Sequence, residues 1–391
     1  MTPVAEQTGA WLEEFTRQRP AAAWLQQLRE AAFQRFAELG FPTTKNEEWR
    51  FTNVAPIARA KFATAAPMVK VTDAPEPSRE DLAEAWLRKL WEAGLSSRPN
   101  GFTALNTAFL RDVVAIEVPR GAVLDKPISI DYTGVAGAHT APRTLIVVGA
   151  DAQCSIVETY QGTGRYFTNA VTEIVAGPGA VVDHYKVQRE SVEAFHIATM
   201  QANLGRSANF SSHSISLGGA LVRNDVNAVL AEGTEAVLNG LYLANGSQHV
   251  DNHTEIDHAK PHGTSHELYK GILDGKATAV FNGRIIVRKD AQKTDSKQTN
   301  KNLVLSDSAV IDTKPELQIF ADDVRCTHGA TIGQLDAESM FYLRSRGIGK
   351  NEARSLLTYA FAQDILDRVK VQPLKGLLGE VLFEKFHEHA G

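Results

Sequence analysis

Four copies of the pattern G-x-x-A recur at a constant spacing: Gly149-Ala150-Asp151-Ala152, Gly177-Pro178-Gly179-Ala180, Gly205-Arg206-Ser207-Ala208 and Gly233-Thr234-Glu235-Ala236, each glycine 28 residues after the last. Apolar, β-branched segments flank each copy, Thr144 to Val148 before Cys154 to Tyr160 and Thr172 to Val175 before Val181 to Val187. The unit therefore reads strand, tight turn, strand. A 28-residue unit of strands without a helix cannot bury its apolar face alone and must stack on its neighbours, as a β-solenoid or an extended meander. Further turns at Asp274-Gly275-Lys276-Ala277, Lys289-Asp290-Ala291 and Ser306-Asp307-Ser308-Ala309 follow at intervals of 14 and 18 residues. These predict shorter coils continuing to about Thr331.

Helical spacing brackets the repeat. Trp24, Leu25, Leu28, Ala32, Phe33, Phe36 and Leu39 recur at threes and fours until Gly40 and Pro42 end the stripe. A second stripe, Leu82, Trp86, Leu87, Leu90 and Trp91, follows the Pro75/Pro77 linker, with Ser78 as its cap and Gly94 as its stop. The stretch Asn46 to Asn53 between them is too polar and irregular to assign. Strand character begins near Val113. After Asp336, Met340, Phe341 and Leu343 precede Gly347; Ala353, Leu356, Leu357, Ala360, Phe361, Ile365 and Leu366 mark a long helix; and Leu377, Leu378, Val381, Leu382 and Phe386 mark another beyond Pro373. The expected layout is a helical region over 1–110, a β-repetitive core over 111–335 and a helical region over 336–391, with the terminal regions blunting the solenoid's open edges.

Composition narrows the function. With 41 basic and 46 acidic residues, the chain carries no overall electrostatic footprint for nucleic acid or an anionic membrane. Apolar runs fall far short of the roughly 20 residues that span a bilayer. Met1 to Ala10 has neither the basic nor the apolar segment of a secretory signal, so the expected compartment is cytoplasmic. Two cysteines, Cys154 and Cys326, cannot build a disulfide framework. The patterns G-x-x-x-x-G-K-[ST], G-x-S-x-G and H-E-x-x-H are absent, so the sequence has no P-loop.

Three clusters could still carry chemistry. His249, His253, His258, His262 and His266 lie within eighteen residues with Asp251, Glu255, Asp257 and Glu267. On a strand, His249 and His253 share a face about 13 Å apart, too far for one ion. They read either as polar groups bonding solvent or a partner, or as metal ligands converging from adjacent coils. Cys326-Thr327-His328-Gly329 projects a thiol and an imidazole to one side of an extended segment, a donor pair suited to iron, zinc or a cluster sulfur. Two donors leave a site open, so a partner chain completes it or Cys326 is simply buried. Cys154 reads as filler. The basic run Arg284 to Lys301 has no interleaved aromatics and reads as solvated strand faces and turns.

These residues carry a resemblance. Tyr269 to Leu273, Gly283, Ala291 to Asp295, Gln298, Asn300, Asn302-Leu303, Leu305-Ser306, Thr313 to Leu317, Ala321 to Val324, Cys326, His328 to Thr331 and Phe341 to Ile348 are similar to the shared signature of the SufB/SufD family of iron–sulfur cluster assembly proteins. Glu47 to Asn53 and Ala104 to Ala108 resemble the helical domain of the family's D type, and C-T-H-G does too. The chain is also shorter than typical SufB proteins and lacks their cysteine-rich N-terminal region.

The resemblance implies a mainly β fold, a right-handed parallel β-helix flanked by N- and C-terminal helical domains. It implies a non-catalytic scaffold that pairs with SufB and with the ATPase SufC, or with a second copy of itself in isolation, and that binds neither nucleic acid nor membrane. His328 matches a family histidine at the SufB–SufD interface, and Cys326 the nearby thiol, perturbed toward thiolate. No cofactor would be permanent; iron or an iron–sulfur cluster would be held transiently with SufB. Phe341, Tyr342, Arg344 and Arg346 are the expected SufC-coupling residues. Two other classes stay open: a His-dependent metal hydrolase and a carbohydrate-acting β-helix protein.

Overall fold

The computed structural model describes residues 3–18, 23–75, 80–92 and 100–388. Helices α1 (Pro3–Arg17), α2 (Ala23–Leu39), α3 (Ala55–Ala58), α4 (Glu80–Glu92) and α5 (Gly101–Ala108) precede the main β region, with two short strands, β1 (Ala63–Thr64) and β2 (Met68–Thr72), among them. The β region opens with β3 (Val114–Val118), β4 (Ile128–Gly134), β5 (Ala138–Thr140) and β6 (Arg143–Val148). It continues through β7 (Gln153–Gly162), β8 (Phe167–Ala176), β9 (Val181–Glu190), β10 (Phe195–Leu204), β11 (Asn209–Ser216), β12 (Leu221–Leu230) and β13 (Glu235–Ala244). Then come β14 (His249–His258), β15 (Thr264–Leu273), β16 (Thr278–Val287), β17 (Asp295–Val304), β18 (Val310–Ile319) and β19 (Arg325–Gly333). Helices α6 (Ala337–Ser345), α7 (Lys350–Leu366) and α8 (Gln372–Glu388) close the described chain. The Ser78 cap, Pro77 and the Gly94 stop lie outside the described residues.

Successive strands alternate between two sheets, one ordered β8-β10-β12-β14-β16-β18 and the other β19-β17-β15-β13-β11-β9-β7. Every pairing along these runs is parallel, which a meander cannot produce, so the fold is a β-solenoid. Parallel in-register stacking puts equivalent residues in columns. One column runs Ile116, Ile146, Ile174, Ala202, Ala228, Ile256, Ile285 and Leu317 through the interior. All but Leu317 are almost fully buried, each large member contributing about 1.5–3 kcal/mol of transfer free energy.

The turns explain the repeat and correct part of its reading. Gly149, Gly177 and Gly205 are structurally equivalent, because β7, β9 and β11 are offset by 28 residues (Gln153 on Val181, Val181 on Asn209). A Cβ on Gly177 would stand 2.6 Å from the Ala150 backbone nitrogen, and one on Gly205 would stand 2.8 Å from the Gly177 carbonyl carbon. Glycine is therefore required by the close approach of successive turns. The fourth copy is out of structural register. Asn209 pairs with Glu235, a coil of 26 residues, so Gly233 (φ 66°) takes the left-handed position held by Asp151, Gly179 and Ser207.

Nor do the later coils shorten. Registers of His249 on Thr278, Thr278 on Val310, Thr264 on Asp295 and Asp295 on Arg325 make them 29, 32, 31 and 30 residues long. The intervals of 14 and 18 are half-coils: the turns at Asp274 and Ser306 line one corner of the solenoid and the turn at Lys289 the other.

At the N-terminal end, Trp11, Phe33, Phe36, Phe41, Trp49, Phe102 and Phe109 share one apolar cluster with Phe167, Phe195, Ile197 and Leu221 of the solenoid. Helix α5 is buried throughout; Asn100 caps it, and Asn106 donates its amide to the carbonyls of Pro142 and Asn169. The unassigned stretch from Asn46 contains a single 3₁₀ turn, Glu47–Trp49, with Trp49 buried.

The C-terminal helices do not cap the other end. Ala362, Ile365, Leu366, Leu374, Leu378, Val381, Leu382 and Phe386 pack along the flank of the second sheet, against Tyr185, Val187, Ile215, Leu241, Leu268, Ile272 and Leu303. That outward apolar row outcompetes the solenoid end for the helices, and β18 and β19 stay uncovered.

Candidate functional site

The end of the solenoid at β18 and β19 is an open cross-section. Each strand pairs on one side only, β18 with β16 and β19 with β17. Residues of β19 that would be interior in any earlier coil are half-buried or exposed: Cys326, His328, Ala330 and Ile332, which continue the buried row Ser296, Gln298, Asn300 and Asn302. Ile332 is 55% exposed, and Val310, Ile319 and Phe320 add apolar surface beside it. An unpaired parallel edge with exposed apolar groups is a template for pairing with another chain.

Cys326 and His328 fall on this edge, on the same inward-facing side, as the two-residue spacing predicted. Cys326 packs beside the small cluster of Ile285, Val287, Ala291 and Ala321. Its thiol is raised above the ordinary range, by burial first and by Asp295 second. These surroundings favour the protonated thiol over the expected thiolate, and a nearby cation would shift the balance the other way. Behind these two residues run two polar columns, Ser265–Ser296–Cys326 and Glu267–Gln298–His328. Ser265 and Ser296 join hydroxyls at 2.8 Å, and Gln298 Nε2 donates to Glu267 Oε2 at 2.7 Å. Burial pushes the Glu267 carboxyl up to about 7. Sequence reasoning missed Glu267 and Gln298 as part of this site. The signal that could have found them is a coil-periodic triplet, Ser265-His266-Glu267, Ser296-Lys297-Gln298 and Cys326-Thr327-His328.

The five-histidine cluster is dispersed by the fold, and its members do not converge on one point. His249 and His253 are bonded within the chain, not to solvent as the simplest reading had it. They form a latch on the Glu47–Thr52 segment. Thr52 donates to Asp251 Oδ2 at 2.5 Å and lies 2.9 Å from His249 Nε2. His253 sits between Asp251 (3.0 Å) and Glu48 (3.4 Å). Arg223 bonds Asp251, Asp225 and the Glu48 carbonyl and stacks 3.8 Å over Trp49.

Glu48 is drawn down to about 2, foremost by its bond from His253, with Arg284 adding to the pull against burial. Burial and Arg223 oppose protonation of His253, but Asp251 and Glu48 outweigh them and hold it raised. His258 is buried against Ser265 and driven down to about 4 by desolvation, His262 occupies a left-handed turn position, and His266 is exposed. Among the described residues, no three His, Cys, Asp or Glu side chains are grouped to hold a metal ion.

Five of the six basic residues of the run are exposed, as the reading of solvated faces and turns has it; the half-buried Arg284 meets Glu48, Glu255 and Glu316, Arg288 meets Asp257, and Lys293 meets Asp323. Cys154 is core filler, its thiol pushed up to about 12 by burial and Asp183. Phe341 and Tyr342 on α6 are 73% and 56% exposed, Arg346 lies 5.2 Å over the Tyr342 ring, and no α6 residue is buried. None of the described helices is long and apolar enough to cross a membrane.

The class these features define is a helix-flanked β-solenoid with one sheet end left open and a thiol–imidazole pair on that edge. Residues 132–361 match the core-domain model of SufBD proteins of the SUF iron–sulfur cluster assembly system, and residues 13–76 match the SufBD N-terminal region. Similar curated proteins include an iron–sulfur cluster assembly SufBD family protein of Synechocystis, 34% identical over 90% of this chain and 88% of the relative. The iron–sulfur cluster assembly protein SufD of Escherichia coli is 31% identical over 88% of each chain, and SufD of Bacillus subtilis is 24% identical over 96% and 97%. The chain belongs to the SufBD family, whose role is iron–sulfur cluster assembly.

Proposed function

We propose that this chain is the D-type scaffold subunit of the SUF machinery, pairing with SufB through the open solenoid end and with the ATPase SufC through the exposed C-terminal helices. The observation that carries this reading is the uncovered edge of β19 with Cys326 and His328 on its inward-facing side. A second parallel edge docked there would satisfy the free backbone groups and bury Ile332. It would also bring its own donors toward the Cys326/His328 pair.

The transferred species, iron or a nascent cluster, is cargo here. A neutral imidazole supplies a borderline nitrogen donor, and the Cys326 thiol a sulfur that ionises when a cation arrives. Phe341, Tyr342, Arg344 and Arg346 are assigned to SufC coupling, through which nucleotide-driven movement would reach the pairing edge. Chemistry that consumes ATP belongs to SufC in this reading, and the D-type chain stays non-catalytic. In isolation the same edge pairs with a second copy.

Co-expression with SufB and SufC, followed by anaerobic iron and sulfide analysis of the purified complex, tests the assignment. His328→Ala is expected to leave the complex intact and to reduce its iron and sulfide content. Unchanged content would remove His328 from the site.

A further inference from the structure

Residues facing into a parallel solenoid line up coil upon coil, and the line Glu267–Gln298–His328 ends at the open edge. Its middle member is held from two sides. Gln298 is 1% exposed, and its Nε2 donates to Glu267 Oε2 at 2.7 Å. Across the interior stands Gly283, where a Cβ would lie 2.1 Å from that same Nε2. Any larger residue at 283 would displace the amide, so the glycine is the gap that the Gln298 side chain fills.

With its NH2 group committed to the carboxyl, the amide has one free end. Gln298 Oε1 is buried and has no donor partner within the described residues. A buried carbonyl oxygen without a donor is costly. The next side chain along the line is the imidazole of His328, which carries a ring N–H in either tautomer.

We infer that Gln298 is the positioning residue of the His328 site: its Oε1 accepts a ring N–H of His328, which fixes the tautomer and turns the other ring nitrogen, with its lone pair, toward the pairing edge. Glu267 anchors the far end of the amide, and protonated or ionised it keeps an oxygen that accepts from Nε2. A ring oriented by a second hydrogen bond is the usual condition for an imidazole to serve as a ligand. The inference rests on the proposed role of His328 toward iron or a cluster, and it adds the two residues that prepare it.

The test reads the ring itself. In the full chain, labelled with nitrogen-15 at histidine and held at pH 8 without metal, ring nitrogen shifts and couplings report the tautomer of His328, assigned by its loss in His328→Ala. Wild type should favour one tautomer about fivefold beyond the exposed control His266, the ratio that one neutral hydrogen bond supports. Gln298→Met keeps the volume without a comparable acceptor, and should bring His328 to the control ratio. A bias that survives Gln298→Met overturns the inference. So does a wild-type ring with the control ratio, a result that needs no variant to fold. Because the measurement uses the chain alone, it separates a failure of this positioning from a failure of the cluster-assembly role, which the iron and sulfide content of the His328→Ala complex decides.

Discussion

Glu267→Gln isolates the cost of keeping a carboxyl inside the solenoid. Burial raises Glu267 from the ordinary 4.5 to about 7. A raised folded-state value means that the native state prefers the protonated form. Stability is therefore undiminished below the unfolded pKa and falls as pH rises from about 4.5 through 7. At about 1.36 kcal/mol per pH unit, the shift is worth roughly 3 kcal/mol by pH 8. Glutamine has nothing to ionise, so this slope should vanish in the variant.

The swap has its own constant cost. Glu267 Oε1 is buried with the Thr254 hydroxyl beside it, and any hydrogen bond that an NH2 group fails to make there costs about 1–3 kcal/mol at every pH. The decisive quantity is therefore the difference between variant and wild type as a function of pH. Urea unfolding followed by circular dichroism from pH 5 to 8 should show the variant gaining about 2–3 kcal/mol on wild type across the window, whatever their order at pH 5. Other titrating groups are common to both proteins and cancel. Parallel profiles would refute the reasoning and mean that the carboxyl is hydrated or ionised in the folded state.

Arg223→Met leaves Asp251 buried with its main counter-charge removed, and should lower stability by about 3–5 kcal/mol in the same assay; Arg223→Lys should recover only part, since three acceptors share the guanidinium fork. The same substitution should speed proteolysis within Glu47–Thr52 under native conditions. The two kinds of repeat glycine should separate by mutation: Gly177→Ala meets backbone at 2.6 Å and should cost about 3 kcal/mol, while Gly233→Asn, which tolerates a left-handed φ, should cost less than about 1 kcal/mol. Equal costs in urea unfolding would contradict the two-residue register shift.

Much of this was legible in advance for a simple reason. Period-two alternation between Gly-centred turns specifies strand–turn–strand units that must stack, as a solenoid or a meander, and helical spacing at Trp24 to Leu39 and Lys350 to Leu366 admits one local structure. The two-residue spacing of Cys326 and His328 also put both side chains on one side of an extended segment. Register was another matter. A glycine demanded by close backbone approach and one demanded by a left-handed φ look alike in sequence, so Gly233 mimicked a position two residues away. Half-coils likewise looked like shortened coils, because a turn carries no mark of the corner it belongs to.

The sequence by itself determined repeating strand–turn–strand units between helical ends and the donor pair on one extended segment, since these depend on local spacing and residue chemistry. Only the tertiary structure decided that α7 and α8 lie along the flank and leave the end open, that His249 and His253 are spent on latching Glu48 and Thr52, and that Glu267 and Gln298 stand in line behind His328. Those outcomes depend on contacts 30 to more than 200 residues apart along the chain, where competition among faces for burial and for counter-charges is settled by geometry that no local pattern encodes.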